Sequence, residues 1–371
     1  MCRLVRISRR GLLEEQPSDF FAENQSYGRV LPMSNGQVHA GPRTRSLTGV
    51  QILSTGSYVP DNVISNTDLR ESHGFDPEWI VNRTGIQERR FALPHQATSD
   101  LGVHAATRCL EAAGCAPGDV DLLVVATFTP DMAFPSVGNL IQDQLGLTCP
   151  AFDIQAACAG FIFALVTAAQ FVATGNSKRA LVVGADCNSR VINPSDEKSF
   201  PLFGDGAGAV LLTQGSPEQG MVSYQLGSDG SGGDLLSRPA CGSRIPPSPE
   251  AIEQGLHYLT MDGRAVFKWA VRILADSTQT VLGHAKVGVA DVRWFVPHQA
   301  NVRIIHAASD VLGFPREAVY KNLERYGNTS AGSIPIALDE LWRDGQVRRG
   351  DLVLTSGFGA GLNWGTTLWR W

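Results

Sequence analysis

Short runs of consecutive apolar residues recur along the chain and alternate with longer segments whose apolar residues keep helical spacing. The runs predict buried strands, and such runs are typical of parallel sheets covered by helices on both faces. The predicted strands are 47–56, 121–127, 180–185, 209–213, 292–296 and 351–356. The predicted helices are 98–114, 136–145, 156–174, 262–282, 300–312 and 333–344. This alternation predicts an α/β fold.

A weak internal repeat divides the ordered chain into two halves, 47–217 and 218–371. In each half a strand leads to a proline, then to a polar residue before a helix, then to a second strand and a glycine-rich turn. The polar residue is Cys158 in the first half and Asn328 in the second. The similar spacing is consistent with two related halves.

Residues 1–46 show no apolar period and are expected to be a disordered extension or the product of a start site placed too early, with Met33 as a later start. They lack the apolar segment that a secretory signal needs. A transit peptide would be poor in acidic residues, whereas this segment contains Glu14, Glu15, Asp19 and Glu23.

The composition of the 371 residues, 43 % apolar and 18 % charged, is typical of a folded globular protein. A formal net charge of −5 gives no reason to expect nucleic acid as the main partner. The most apolar segment, 156–174, contains Gly160 and Gln170 and is predicted to be a buried helix rather than a membrane span. Seven cysteines without a CxxC pair argue against disulfides and zinc, so free thiols and a cytoplasmic location are expected.

Cys158 stands between a strand that ends near Ile154 and the predicted helix, among small residues that leave space for a substrate. A thiol at a helix N-terminus lies near the positive end of the helix dipole, which is expected to lower its pKa and favour the thiolate. A buried structural cysteine is the alternative interpretation.

Two further polar residues occupy comparable places. His298 directly follows the predicted strand 292–296, and Asn328 precedes the helix 333–344. Ligands of α/β proteins bind beyond the carboxyl ends of strands, where Cys158, His298 and Asn328 can face one end of a sheet. Taken singly, His298 is more often a structural imidazole and Asn328 a turn or N-cap residue.

The motifs around these residues resemble the active-site motifs of β-ketoacyl-[acyl-carrier-protein] synthase III, the condensing enzyme that initiates bacterial fatty acid synthesis. They are Ala156-Ala-Cys-Ala-Gly-Phe, Pro297-His-Gln-Ala-Asn and Tyr326-Gly-Asn-Thr-Ser-Ala-Gly-Ser-Ile-Pro. Further matches lie at 76–86, 203–210 and 358–365. The resemblance runs from about residue 47 to the C-terminus, and the motifs in this order are highly specific.

The resemblance implies the thiolase-like fold, a five-layered α/β/α/β/α arrangement of two duplicated halves, and a homodimer. It also implies a decarboxylative Claisen condensation of a short acyl-CoA, usually acetyl-CoA, with malonyl-acyl carrier protein. Cys158 would carry the acyl group as a thioester, and the N–H groups of Cys158 and Ala360 would form the oxyanion hole. His298 and Asn328 would stabilise the enolate. Acyl-CoA and malonyl-acyl carrier protein are substrates, and no cofactor or metal is expected.

The resemblance also assigns substrate contacts. Trp79 and Arg83 match residues that hold the nucleotide part of CoA. Asn301 and Arg303 match residues of the pantetheine tunnel and its mouth, and Gly263 is also assigned to substrate binding.

Two aromatic residues are assigned to the acyl pocket. Phe134 matches a residue that reaches across the dimer to bound the pocket, and Phe358 matches one beside the thiol. Two positions depart from the family. Ala360 stands where many members have glycine, but its N–H is kept and little effect is expected. Where an arginine commonly stacks on adenine, this chain has Glu197 followed by Lys198. Either CoA is held more loosely, or Lys198 substitutes, or the acyl donor differs.

Acyl carrier protein, which is acidic, is the expected macromolecular partner; neither nucleic acid nor a membrane is expected. Arg264, Lys268 and Arg272 share one face of the predicted helix 262–282, and the family docks the carrier near this helix. Gln299 and Arg303 are assigned to the same docking surface. A solvated basic edge is the alternative.

Several other functions require similar residues. A specialised secondary-metabolite relative would keep the Cys-His-Asn set but use another acyl donor. A degradative thiolase would need a cysteine near the C-terminus, but the last cysteine of this chain is Cys241. An elongating synthase would have histidine in place of Asn328. The apolar surroundings of Cys158 argue against a cysteine hydrolase that uses His298 as a base. A non-catalytic scaffold would not need all three polar residues.

Overall fold

The structure, a computed structural model, describes residues 43–371. Its strands are β1 (Thr44–Thr48), β2 (Val50–Tyr58), β3 (Val63–Ser65), β4 (Glu88–Arg90), β5 (Leu122–Ala126), β6 (Ala151–Ile154), β7 (Arg179–Asp186), β8 (Gly206–Gln214), β9 (Gly220–Ser228), β10 (Leu236–Ser237), β11 (Thr260–Met261), β12 (Trp294–Pro297), β13 (Leu352–Gly359) and β14 (Asn363–Arg370). Its α-helices are α1 (Asn66–His73), α2 (Pro77–Thr84), α3 (Thr98–Ala113), α4 (Val137–Gln144), α5 (Gly160–Ala173), α6 (Pro249–Glu253), α7 (Gly263–Ala285), α8 (Val302–Leu312), α9 (Leu323–Tyr326) and α10 (Ser333–Arg343).

Two five-stranded sheets form the framework, with strand orders β2-β8-β7-β5-β6 and β1-β9-β14-β13-β12. Both sheets are mixed: β5 is parallel to β6 and β7, and β12 is parallel to β13, but β8 and β14 are antiparallel to their neighbours. The prediction that the strand at 209–213 is parallel is therefore wrong. Both faces of this sheet are covered by helices, so an antiparallel strand shows the same continuous apolar run as a parallel one.

The first predicted strand, 47–56, is two strands that belong to different sheets. The strand is interrupted at Gly49, whose φ of +80° is a conformation that other residues rarely adopt. β1 then pairs with β9, and β2 pairs with β8. Residues 44–46, assigned above to the extension, are thus part of a sheet, and residues 1–42 of the predicted extension lie outside the described residues.

The elements stack in five layers, which confirms the predicted α/β/α/β/α arrangement. α5 and α10 form the central layer and share one apolar core with the inner faces of both sheets. α3 and α4 cover the outer face of the first sheet. α7 and α8 pack on the outer face of the second. Between Pro42 and the C-terminus, no helix is both long enough and apolar enough to cross a membrane.

α10 lies directly against the backbone of the first sheet. A Cβ added at Gly208 would be 2.6 Å from the backbone nitrogen of Ile336, and one added at Gly184 would overlap the carbonyl oxygen of Ala331. Neither neighbour is a flexible side chain that could move away. These two glycines therefore set how closely the central helix approaches β7 and β8, and the start of α10 carries part of the candidate site.

We predict that Gly208→Ala destabilises the protein by about 1–3 kcal/mol, because the added methyl group must displace backbone in a packed core. Urea unfolding followed by circular dichroism would measure the loss. Gly283→Ala in α7 is the matched control, since a Cβ there meets nothing within 4 Å and alanine favours a helix. Equal stability of Gly208→Ala and the wild type would contradict the close packing.

Candidate active site

A cavity of about 1110 Å³ opens beyond the carboxyl ends of β12 and β13. Its wall includes the three residues predicted to carry the chemistry, Cys158, His298 and Asn328. They come from three separate segments of the chain: the start of α5, the loop after β12 and the loop after α9. The fold thus brings a thiol, an imidazole and a carboxamide to one enclosed space.

Cys158 lies in a single 3₁₀ turn, Ala157–Ala159, which runs directly into α5. The preceding residue, Ala157, has a φ of +46°, a strained conformation for alanine that turns the chain sharply before the thiol. Gly359 at the end of β13 packs against this turn, because a Cβ there would be 2.7 Å from the Cys158 nitrogen. Cys158 as a whole is 8 % exposed.

The electrostatics of Cys158 differ from the sequence-based expectation. Burial raises the pKa of the Cys158 thiol to about 12, although the Ser330 hydroxyl donates a hydrogen bond to Sγ at 3.3 Å and lowers it. The buried Asp186 carboxyl adds to the increase. The prediction of a lowered pKa is therefore wrong: loss of hydration outweighs the helix dipole. The Cys158 side chain is therefore a neutral thiol near neutral pH.

His298 continues the line of β12 into the cavity. Its backbone N–H donates to Ser356 at 2.8 Å, and its Nδ1 lies 2.7 Å from the Ser333 hydroxyl. The Gln299 N–H donates to the same hydroxyl oxygen at 3.5 Å, and the hydroxyl proton can then point to Nδ1. Burial lowers the pKa of His298 to about 3, so the imidazole is neutral. With Nδ1 accepting from Ser333, Nε2 carries the proton and is the atom available to a substrate oxygen.

The amide of Asn328 is oriented in a similar way. Its Oδ1 accepts the backbone N–H of Ser330 at 2.8 Å, so the Nδ2 donor is left for the cavity. Its backbone is fixed by the bonds from its N–H to Leu202, at 2.8 Å, and from Gly204 N–H to its carbonyl, at 3.0 Å. Asn328 and His298 thus offer two neutral hydrogen-bond donors to the same cavity from loops that are distant in sequence.

Ala360 lies in the turn after β13 and lines the cavity. Its carbonyl accepts from the Asn363 side chain at 2.7 Å, while its N–H makes no hydrogen bond to the rest of residues 43–371. A free backbone donor beside the packed Cys158 turn is what an oxyanion hole requires.

Most of the predicted substrate contacts line the same cavity. They are Trp79, Arg83, Gly263, Asn301, Arg303 and Phe358. Asn301 links α2 and α8 at the mouth of the cavity, because its Nδ2 donates to the Arg83 carbonyl at 3.1 Å and its Oδ1 caps α8. Phe358 packs edge-on against the His298 ring, with centroids 5.4 Å apart.

Phe134 is the exception among the substrate contacts. It is 84 % exposed on the loop before α4 and does not line the cavity of the single chain. Contact with the acyl pocket across a dimer stays a prediction.

The residues assigned to carrier docking separate into two groups. Arg264 and Lys268 on α7 line the mouth with Arg303, and Arg272 is exposed farther along the same helix. Gln299 is 1 % exposed and donates to the carbonyls of Pro297 and Tyr320. Its assignment to docking is wrong, because a buried side chain with these bonds cannot meet a macromolecule.

Two basic residues of the mouth extend the predicted set. Lys198 lines the cavity and Glu197 does not, so the lysine is the cation offered at the position that departs from the family. Arg238, which no sequence pattern indicated, also lines it and donates to the His257 carbonyl at 2.7 Å. The basic lining side chains are Arg83, Lys198, Arg238, Arg264, Lys268 and Arg303. The concentration of positive charge suits a ligand with several phosphates.

Comparisons with known proteins point to one family. Family models described as 3-oxoacyl-[acyl-carrier-protein] synthase III match residues 152–230, and, for the C-terminal part, residues 282–371. The β-ketoacyl-[acyl-carrier-protein] synthase III of Rhodopirellula baltica is 50 % identical over 344 residues, covering 88 % of this chain and 99 % of that protein.

Solved structures are also similar over most of the chain. The 3-oxoacyl-[acyl-carrier-protein] synthase III of Aquifex aeolicus is 41 % identical, with a TM-score of 0.81 over 87 % of this chain and 100 % of its own. The priming β-ketosynthase from the R1128 polyketide biosynthetic pathway is 38 % identical, with a TM-score of 0.80 over 88 % and 98 % of the two chains.

We predict that alkylation of Cys158 by iodoacetamide accelerates about tenfold for each pH unit between pH 7 and 10, without a plateau. The reason is that only the thiolate reacts, and the pKa of about 12 keeps the thiolate a small fraction throughout this range. Peptide mass spectrometry would follow the modification, with the exposed Cys241 as an internal reference for the reagent. A rate that levels off near neutral pH would instead indicate the lowered pKa expected from the helix dipole.

Proposed function

Because the chain belongs to the β-ketoacyl-[acyl-carrier-protein] synthase III family, we propose that Cys158, His298 and Asn328 condense a short acyl-CoA with malonyl-acyl carrier protein and so initiate fatty acid synthesis. The observation that carries this proposal is the convergence of a buried thiol and two neutral donors in a cavity with a basic mouth. Acetyl-CoA is the donor to test first.

The first half-reaction transfers the acyl group to Cys158. The sulfur attacks the thioester carbonyl of acyl-CoA, and the oxyanion is held by the N–H groups of Cys158 and Ala360. When the C–S bond to CoA breaks, the thiol proton ends on the CoA sulfur. The Ser330 hydroxyl, which donates to Sγ, supports the negative charge that develops on the attacking sulfur.

The second half-reaction uses the two donors. Malonyl-acyl carrier protein loses CO₂, and the electron pair of the broken C–C bond moves into an enolate whose thioester oxygen accepts from His298 Nε2 and Asn328 Nδ2. The enolate carbon then attacks the acyl carbonyl on Cys158, and the thiolate that leaves takes up a proton. No step requires a cofactor, because side chains and backbone N–H groups stabilise each charge.

The basic mouth would hold the phosphates of CoA and the acidic carrier in turn. The loop of Met132 and Phe134, 49 % and 84 % exposed, would be covered in a homodimer. Free thiols at the site fit a cytoplasmic enzyme, since reducing conditions preserve them.

A second candidate function is the priming of a specialised pathway with a different acyl donor. The observation in favour of this candidate is the similarity of the chain to the priming β-ketosynthase of a polyketide pathway. The two functions share the chemistry and differ in the acyl-CoA that labels Cys158 fastest, so a series of acyl-CoA chain lengths distinguishes them.

We predict that acetyl-CoA acylates Cys158 of the wild type and that malonyl-acyl carrier protein then removes the label as 3-oxoacyl product forms. Cys158→Ser should not be labelled, because the thiol is the nucleophile. His298→Ala and Asn328→Ala should be labelled but should condense about 10²–10³-fold more slowly, the usual loss when one oxyanion donor is removed. Intact-protein mass spectrometry and product assay measure the two steps.

Loss of labelling in the His298 or Asn328 variants would contradict the division of labour between the half-reactions. No acyl-enzyme from any thioester would overturn the proposed function itself.

We predict that Lys268→Glu raises the KM for malonyl-acyl carrier protein about tenfold and that added salt weakens the wild-type interaction, because an acidic partner meets repulsion at the mouth. Acetyl-CoA labelling should change much less. Lys178→Glu is the control, since this exposed lysine lies between α5 and β7 at the opposite end of the strands. Equal effects of the two substitutions on the KM would contradict docking at the mouth.

A further inference from the structure

We propose that Glu340 on α10 is a positioning residue that holds the segment 320–326 and thereby places the Asn328 amide for decarboxylation, without a role in acyl transfer to Cys158. This inference rests on the proposed function and deepens it, because it assigns a residue outside the cavity wall to one of the two half-reactions.

The Glu340 carboxylate is 4 % exposed and accepts four hydrogen bonds, all from residues between 320 and 326. Oε1 accepts from the Tyr326 hydroxyl at 2.7 Å. Oε2 accepts from the Tyr320 hydroxyl at 2.9 Å, from the Asn322 amide at 2.8 Å and from the Arg325 guanidinium at 3.0 Å. Burial opposes its charge, but these donors hold the pKa of Glu340 below its ordinary value. One helix side chain therefore binds the whole segment.

This segment is the support of Asn328. It leaves the edge of β12, where the Tyr320 N–H donates to the Phe295 carbonyl at 2.9 Å, and ends where Asn328 pairs with the chain at Phe203. Between these points it contains only the single turn of α9. Tyr326 is separated from Asn328 by Gly327 alone, so movement of Tyr326 is passed to the amide.

The same helix also fixes His298. Ser333 at the start of α10 contacts His298 Nδ1, and Glu340 near its end holds the support of Asn328. A rigid helix thus sets the spacing between the two donors. Gln299 adds a second link, because its Oε1 accepts the Asn322 N–H at 3.1 Å and its Nε2 donates to the Tyr320 carbonyl at 3.2 Å.

The simpler interpretation is that Glu340 only stabilises the fold, and the neighbouring Asp339 provides the measure of that effect. Asp339 is 6 % exposed and accepts from Thr55 at 2.8 Å and Ser57 at 2.6 Å, both on β2. Two adjacent buried carboxylates on one helix therefore bind different parts of the molecule, and only Glu340 contacts the support of Asn328.

The experiment compares Glu340→Gln with Asp339→Asn and measures the two half-reactions separately, together with the thermal unfolding midpoint. We expect Glu340→Gln to label with acetyl-CoA within about twofold of the wild type, and to decarboxylate malonyl-acyl carrier protein at least about tenfold more slowly. Asp339→Asn should lower the midpoint but leave the ratio of the two rates unchanged. Tyr326→Phe, which removes the donor nearest to Asn328, should give a smaller loss of the same kind.

Equal losses in both half-reactions of Glu340→Gln, or no loss, would overturn the inference. The same selective loss in Asp339→Asn would also overturn it, because general loosening of α10 would then be sufficient. If Glu340→Gln does not fold, Tyr326→Phe decides by the same ratio. If no thioester acylates the wild type, the proposed function is overturned, and the inference with it. If the wild type completes both half-reactions, a negative result with the variants overturns the inference alone.

Discussion

The direct contact of α10 with the backbone of β7 and β8 is the constraint on which the site depends. Gly184 and Gly208 present no side chain there, so the turn before α10 reaches the sheet, and the Ala331 N–H donates to the buried Asp186 at 3.0 Å. That position brings the preceding Ser330 against the Cys158 sulfur and the following Ser333 against His298. Packing of one helix thus orients groups from three chain segments, and rigid support of this kind is what preorganised chemistry needs.

The site combines a neutral interior with a charged entrance. Burial raises the pKa of Cys158 and lowers that of His298, so neither group is charged before substrate arrives. The positive side chains lie at the mouth, where contact with water keeps the free-energy cost of their charge small. In the proposed reaction, a neutral interior would give the malonyl carboxylate no cation to pair with, whereas the enolate oxygen would meet the donors of His298 and Asn328. The site would therefore stabilise the enolate charge that develops during decarboxylation more than the carboxylate charge that is lost.

The sequence predicted features whose signal is local. Continuous apolar runs indicated β5, β7 and β12, and the motifs indicated the three polar residues that the fold brings to one cavity. The pattern did not indicate β14, because its buried positions include the hydroxyls of Thr366 and Thr367, which bond to hydroxyls of other elements. Burial, which sequence spacing does not reveal, reversed the expected pKa shift of Cys158. It also accounts for the position of Gln299 inside the protein. Both outcomes depend on neighbours that are far away in the sequence.

The two central helices divide the chemistry between them. Cys158 enters the cavity at the start of α5, whereas the contacts that orient His298 and Asn328 belong to α10 and the turn before it. In the proposed reaction, the acyl group would therefore stay on Cys158 at one helix while malonyl is decarboxylated beside the other. Because both helices lie in the same buried layer, the enolate would form close to the acyl carbonyl and away from bulk water. A reactive carbanion would otherwise be protonated, so the central position of this layer protects the condensation as well as positioning it.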